Sequence, residues 1–254
     1  MKLTKKQLLG VNITVNTKKE TLSVIEEYIH GGSEAVKKSP FVIATPNPEQ
    51  LIAGMKDESF RLVLNRADVA LPDGVGVVFG LKVLRGVLLN RISGIDFMSD
   101  LVRMANKNNY SIGLVGGKNG TGKKALAELK SSYVNLSGWA IEPEEMNEKK
   151  LAKHIADSNT KIVFVGLGAP KQEYFIDVLK KEIIRLQPSA FRLILMSVGG
   201  SFDMIAGRVP RAPLWMQKGG LEWIYRLFHE PWRWKRQLAL IRFFFIIIWT
   251  VITR

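Results

Sequence analysis

The chain contains no cysteine, which excludes disulfide cross-links, zinc–thiolate sites and thiol nucleophiles. Histidine is scarce as well, and His30, His154 and His229 fall at no metal-ligand spacing. Long hydrophobic runs are missing. The start, MKLTKKQLLGVNITV, has a short, polar-interrupted apolar stretch that predicts a first strand and not a signal peptide. The most apolar run, Phe243 to Ile252, would cover only about 15 Å as a helix against a hydrocarbon core of roughly 30 Å. These absences predict a metal-poor protein of the cytoplasm with no membrane-spanning segment.

What is present is a large excess of positive charge, +14 over 254 residues, alongside 46% hydrophobic residues, ample for a buried core. Its distribution is uneven. From Arg208 to Arg254 nine Lys and Arg stand against two acidic residues, a net +7, and five of the six tryptophans lie there too. The composition break near Gly207 predicts an α/β domain over 1–207 and a basic, aromatic-rich helical appendage over 208–254.

Within 1–207, the runs FVIATPN, VALPDG, SIGLVGG, KIVFVGLG and LILMSVGG each read as a strand entering a polar or glycine-rich turn, with helical patterns between them. The expected fold is α/β, a Rossmann-like, mainly parallel sheet with helices on both faces. Ligands in such sheets bind beyond the carboxyl ends of the strands. GLVGGKNGTGKKA places Gly117, Gly122 and Lys123 on the phosphate-loop spacing, but Lys124 stands where a magnesium-binding Ser or Thr is required. The same stretch reads as a strand and then a helix from Gly120 to Lys130, whose N-terminal amides suit a diphosphate; a plain tight turn is the other reading. Gly166-Leu167-Gly168-Ala169-Pro170-Lys171 offers a second such loop.

Asp73 ends VALPDG at a strand terminus, either a general base projecting into the crevice or an N-cap for the next helix. Asn47 in TPNPEQL has a similar double reading. Asp96 is expected to cap a helix and Asp203 to be a structural partner. No Asp-x-Asp occurs, so a departing diphosphate would be neutralised by protein cations, arginine above all.

In the appendage, LWMQKGGLEWIYRLF predicts one amphipathic helix with Leu214, Leu221, Ile224 and Phe228 on one face and Lys218, Glu222 and Arg226 on another. After Pro231 a second helix follows, basic first and apolar later, with Arg233 and Arg236 on a shared face. Its composition suits an interfacial membrane anchor; a core or oligomer-interface helix is the alternative.

Seven ordered blocks carry a resemblance: TPNPEQL (45–51), LPDGVGVV (71–78), GLVGGK (113–118), VGLGAPKQE (165–173), SVGGSFDMIAG (197–207), RVPRAP (208–213) and GLEWIYRLFHEPWRWKRQ (220–237). Across nearly its whole length the chain resembles the WecG/TagA/CpsF glycosyltransferases, glycosyltransferase family 26, which includes the N-acetylmannosaminyltransferases of wall teichoic acid synthesis. The resemblance implies inverting, metal-independent transfer of a sugar from a UDP-sugar to polyprenyl-diphosphate-linked N-acetylglucosamine, with no cofactor. It implies Asp73 as the base, Thr45 and Asn47 beside it, and Arg226, Arg233 and Arg236 closing over the site. Gln172 becomes a substrate contact, and Gly116, Gly117, Gly168, Gly199 and Gly200 line the UDP site. Glu173 and Asp203 stand as further substrate-binding or structural groups.

The favoured donor sugar is N-acetylmannosamine, with glucose or N-acetylmannosaminuronic acid as rivals serving capsule, exopolysaccharide or enterobacterial common antigen. A nucleotide-binding regulatory or redox module is the reading from another class, and it lacks a clean G-x-G-x-x-G. The expected partners are the donor, the lipid-linked acceptor and an anionic membrane surface, without nucleic acid, and a homo-oligomer is left open. The expected location is peripheral, on the inner face of a bacterial plasma membrane.

Overall fold

The computed structural model describes residues 2–31, 39–142, 147–186, 192–231 and 234–253, and for residues 235–237 the backbone alone. Six strands form one sheet: β3 (Phe41–Ala44), β4 (Val69–Ala70), β5 (Ser111–Gly116), β6 (Ser137–Ile141), β7 (Thr160–Gly166) and β8 (Ile194–Ser197). Their order is β4-β3-β8-β7-β5-β6 and every pairing is parallel, as expected. The strands alternate between two apolar layers because successive side chains point to opposite faces. On β7, Ile162 and Phe164 join one buried cluster while Val163 and Val165 join another.

The first layer is built by α1 (Lys18–His30), α5 (Gly94–Lys107) and α6 (Thr121–Ser132), which contribute Ile25, Phe97, Leu101 and Leu126. On the other face lie α7 (Glu148–Asp157) and α8 (Lys171–Leu186), through Ile155 and Leu179. Beside them a third cluster gathers α2 (Pro48–Lys56), α3 (Glu58–Asn65) and α4 (Val75–Arg85).

Two elements differ from expectation within 1–207. The N-terminal stretch is not a single strand: β1 (Lys5–Leu8) and β2 (Val11–Thr14) pair antiparallel as a separate hairpin. Leu9 and Gly10, at φ 47° and 83°, make the two-residue turn whose left-handed backbone reverses the chain. Strand β6 is an edge strand of half-buried residues, and its sequence SGWAI has no continuous apolar run to announce it.

The C-terminal residues lie against this body. The expected first helix is broken into α10 (Leu214–Lys218) and α11 (Glu222–His229). Gly219 and Gly220 intervene. Gly220 has φ +71°, and a Cβ there would lie 2.1 Å from a methyl of Val75, so the glycine lets the chain turn directly against the start of α4. Leu214 and Phe228, on the expected apolar face, are largely exposed. The last helix, α12 (Trp234–Ile252), packs on α4 and α2 and buries Phe243 and Ile247 completely. Gly76 and Gly80 form the groove on α4 that receives it. Leu238, Ile241, Phe245, Trp249 and Ile252 face outward. Among the described residues no helix is long and apolar enough to cross a membrane.

Candidate active site

All the chemistry-bearing turns open at the carboxyl ends of the parallel strands, where they enclose a cleft of about 680 Å³. Strand β3 leads to Thr45 and Asn47, and β4 to Asp73. From β5, β7 and β8 come Gly117, Gly168, and the pair Gly199 and Gly200. Residues from the C-terminal stretch cover one side, among them Arg208, Glu222, Trp223 and Arg226.

Asp73 is not the N-cap. That position belongs to Gly74, at φ 88°, which turns the chain so that the aspartate faces the cleft. Burial pushes the carboxyl up to about 6, against the counter-pull of the Arg91 guanidinium; Glu222 adds to the rise, and backbone N–H groups of Gly94 and Gly74 offset part of it. Arg91 reaches this place because Ile92 N–H donates to Pro72 O at 3.2 Å, pinning the loop between α4 and α5 beside the end of β4. Its Nη2 donates to Glu222 Oε2 at 2.6 Å.

A buried polar chain holds three loops in register, and Gln50, Gln172 and Gly199 of that chain line the cleft. Gly199 N–H donates to Gln172 Oε1 at 3.0 Å, and Gln172 Nε2 donates to Glu173 Oε1 at 2.7 Å. Gln50 Nε2 donates to the same oxygen at 2.8 Å and completes a capping box with Asn47 at the start of α2. Asn47 therefore caps a helix and lines the cleft at once. Thr45 Oγ1 donates to Ser197 O at 3.3 Å, tying β3 to β8. Glu173 is 4% exposed and stands outside the cleft wall, its carboxyl raised by burial against the donation of the two glutamines.

The glycine-rich turn after β5 is already knit to its neighbours. Gly117 N–H donates to Gly166 O at 3.3 Å, Gly120 N–H to Glu142 Oε2 at 3.2 Å, and Thr121 N–H to Lys118 O at 3.1 Å. These three amides are thus engaged within the protein. Gly116 is not in the cleft wall; a Cβ on it would meet Gly166 O at 2.6 Å, so it serves the close approach of β5 and β7. The charged group this turn offers the cleft is Lys118, not the Lys123 of the phosphate-loop spacing.

Of the remaining expected residues, Asp203 lines the cleft, and its backbone carbonyl accepts from the N–H groups of Arg208 and Val209. Asp96 does not cap α5, whose N-cap is Ser93; it pairs with Arg211. Arg226 lines the cleft with its Nε 3.2 Å from Glu230 Oε2. Arg233 lies outside the described residues, as does the side chain of Arg236, which falls within α12. Among the described residues five cationic side chains line the cleft: Arg91, Lys118, Lys171, Arg208 and Arg226. Among the described residues no three His, Cys, Asp or Glu converge as a metal site.

Arg91 and Glu222, like Lys118 and Arg208, line the cleft without having been singled out in the sequence. Arg91 sits in a helix-linking loop without a local motif, and Glu222 read as one charge on a solvated helix face. The resemblance block GLEWIYRLFHEPWRWKRQ contains Glu222 and was the one signal that could have singled it out.

A parallel α/β sheet, a cleft at its strand ends lined by cations that suit phosphate, and a cleft carboxyl raised by burial are the features of a site suited to group transfer. The family model described as "Glycosyl transferase WecG/TagA/CpsF family" matches residues 6–254, and the chain belongs to that family of glycosyltransferases. It is similar to an N-acetylglucosaminyldiphosphoundecaprenol N-acetyl-beta-D-mannosaminyltransferase of Bacillus subtilis strain 168, 39% identical over 203 residues, covering 80% of this chain and 77% of the relative. A protein of the same name from Bacillus spizizenii strain W23 is 32% identical over 208 residues, covering 81% and 77%.

Proposed function

We propose that the chain transfers N-acetylmannosamine from a UDP-sugar to N-acetylglucosaminyl-diphosphoundecaprenol, with inversion and without a metal, in teichoic acid-type synthesis. The acceptor and the sugar are those in the names of both Bacillus relatives. The observation that carries the reading is Asp73, a carboxyl at the strand end, facing the cleft and raised to about 6. A group so tuned is largely ionised at neutral pH yet a stronger base than an ordinary aspartate.

In this scheme Asp73 takes the proton of an acceptor hydroxyl as that oxygen attacks the anomeric carbon from the face opposite the diphosphate. The new carbon–oxygen bond forms while the bond to the phosphate oxygen breaks, and its electron pair leaves on UDP. The charge gained by the diphosphate falls to the cleft cations, with Arg91, Lys118 and Arg226 nearest in role. Thr45 and Asn47 flank the base, and Gln172, held by Glu173, supports the Gly199 turn.

The C-terminal stretch docks the enzyme on the inner membrane surface. The outward side chains Phe245, Trp249 and Ile252, on a segment rich in Lys and Arg, match an anionic lipid interface, where a polyprenyl acceptor resides.

The test is incubation with EDTA, a short-chain lipid-diphosphate N-acetylglucosamine and a panel of UDP-sugars, reading UDP release and product mass. Transfer of one N-acetylmannosamine, lost by at least about 10²-fold in Asp73→Asn, is expected. Transfer of glucose or of a uronic acid would replace the donor, and full activity in the variant would return Asp73 to a structural role.

A further inference from the structure

We infer that Glu222 is a positioning residue through which the C-terminal segment sets the charge around the base: it holds the Arg91 guanidinium at the wall of the cleft that Asp73 also lines. The inference rests on the transferase reading of this cleft.

Glu222 opens α11 immediately after the Gly219–Gly220 turn, and it is 9% exposed. Its two oxygens face two arginines from different parts of the chain. Oε2 accepts from Arg91 Nη2 at 2.6 Å, and Oε1 stands 4.0 Å from Arg211 Nε. Arg211 in turn pairs with Asp96 on α5. One carboxylate thus joins the α4–α5 loop, the strap that leads to α10, and α11, all at the rim of the cleft. The Gly220 contact with Val75 fixes the backbone of this corner against the helix that follows Asp73.

A buried ion pair adds little net stability, because desolvating both charges offsets most of their attraction. Its effect here is on geometry and charge. The charged groups that face Asp73 are Arg91 from the loop and Glu222 from α11, and they act on it with opposite sign. With Glu222 in place, its charge opposes that of Arg91 and Asp73 keeps its basicity. Without that charge, the pull of Arg91 on Asp73 is unopposed, and Asp73 becomes a weaker base.

The experiment follows the Asp73 carboxyl carbon by NMR in protein carrying 13C-aspartate, assigned by its disappearance in Asp73→Asn. Glu222→Gln is expected to lower the Asp73 midpoint by about half a pH unit or more, and Arg91→Gln to raise it. Glu222→Asp, which keeps the charge, should return the midpoint toward wild type. The acid limb of kcat/KM should move with the midpoint in each variant, a response that lost packing alone does not give. An unmoved midpoint in folded Glu222→Gln overturns the inference, and if that variant does not fold, an unmoved midpoint in Arg91→Gln does so. The titration needs no substrate. A wild type that titrates as expected but transfers nothing defeats the transferase reading alone; one that transfers while the variants leave the midpoint in place defeats the coupling alone.

Discussion

Asp73 is held in a form that the fold disfavours. Its carboxyl ionises near 3.8 when solvated and at about 6 in the folded chain, so the folded state binds that proton more tightly than the unfolded one. Stability from this group is present below about pH 4, is lost as pH rises to about 6, and stays lost above it. Replacing Asp73 by Asn removes the cost of ionising a buried group. Thermal unfolding of Asp73→Asn should show a gain of about 3 kcal/mol at pH 8 and little at pH 4, while transfer disappears. Equal gains at both pH values would mean that burial does not raise this carboxyl. Such a trade of stability for reactivity is what distinguishes a base from a cap, and VALPDG alone left both open. Asp73 was legible because a strand ran into Asp-Gly, and Gln172 and Asn47 because of their blocks. Arg91 was not, since nothing local tells which of many basic loop residues reaches the base.

At the scale of elements, five of the six sheet strands could be read, each being an apolar run that ends at a turn. Strand β6 escaped because an edge strand buries less and carries Gly138 and Trp139 in place of aliphatic residues. The N-terminal hairpin escaped because Leu9 and Gly10 interrupt what looks like one strand only through their backbone angles. The C-terminal helices show the same limit more sharply. Helical periodicity ran straight through Gly219 and Gly220, although those glycines make the turn that brings Glu222 to the cleft. Helix α12 has one face sealed on α4 and α2, as the core reading expected, and another facing out. Phe243→Ala should cost about 3–5 kcal/mol in urea unfolding, because the ring fills the groove at Gly76 and Gly80. Phe245→Ala, at 70% exposure, should stay within about 0.5 kcal/mol. A small loss in both would place the helix off the body of the protein.

For the whole molecule, the decisive feature is that one C-terminal stretch contributes to three surfaces: the cleft through Arg208, Glu222 and Arg226, the core through Phe243 and Ile247, and the outside through Phe245 and Trp249. Excision of residues 208–254 would therefore strip core as well as the proposed anchor, and substitution is the cleaner probe. The Phe245→Ser, Trp249→Ser double variant should lose several-fold in co-sedimentation with anionic vesicles while keeping transfer to a short-chain acceptor. Undiminished vesicle binding would move the membrane contact elsewhere. The net charge of +14 and its skew toward this stretch were legible from composition, but the division of labour within it depends on which face of each helix finds a partner.

Metal-free sugar transfer by a raised aspartate and protein cations, as proposed for this cleft, is read from the pH dependence of kcat/KM for wild type and Asp73→Asn in the presence of EDTA. The account predicts a wild-type profile that falls below about pH 6 with unit slope, and a variant with no measurable profile. A strict need for added divalent metal, or an acid limb that persists in Asp73→Asn, would contradict it.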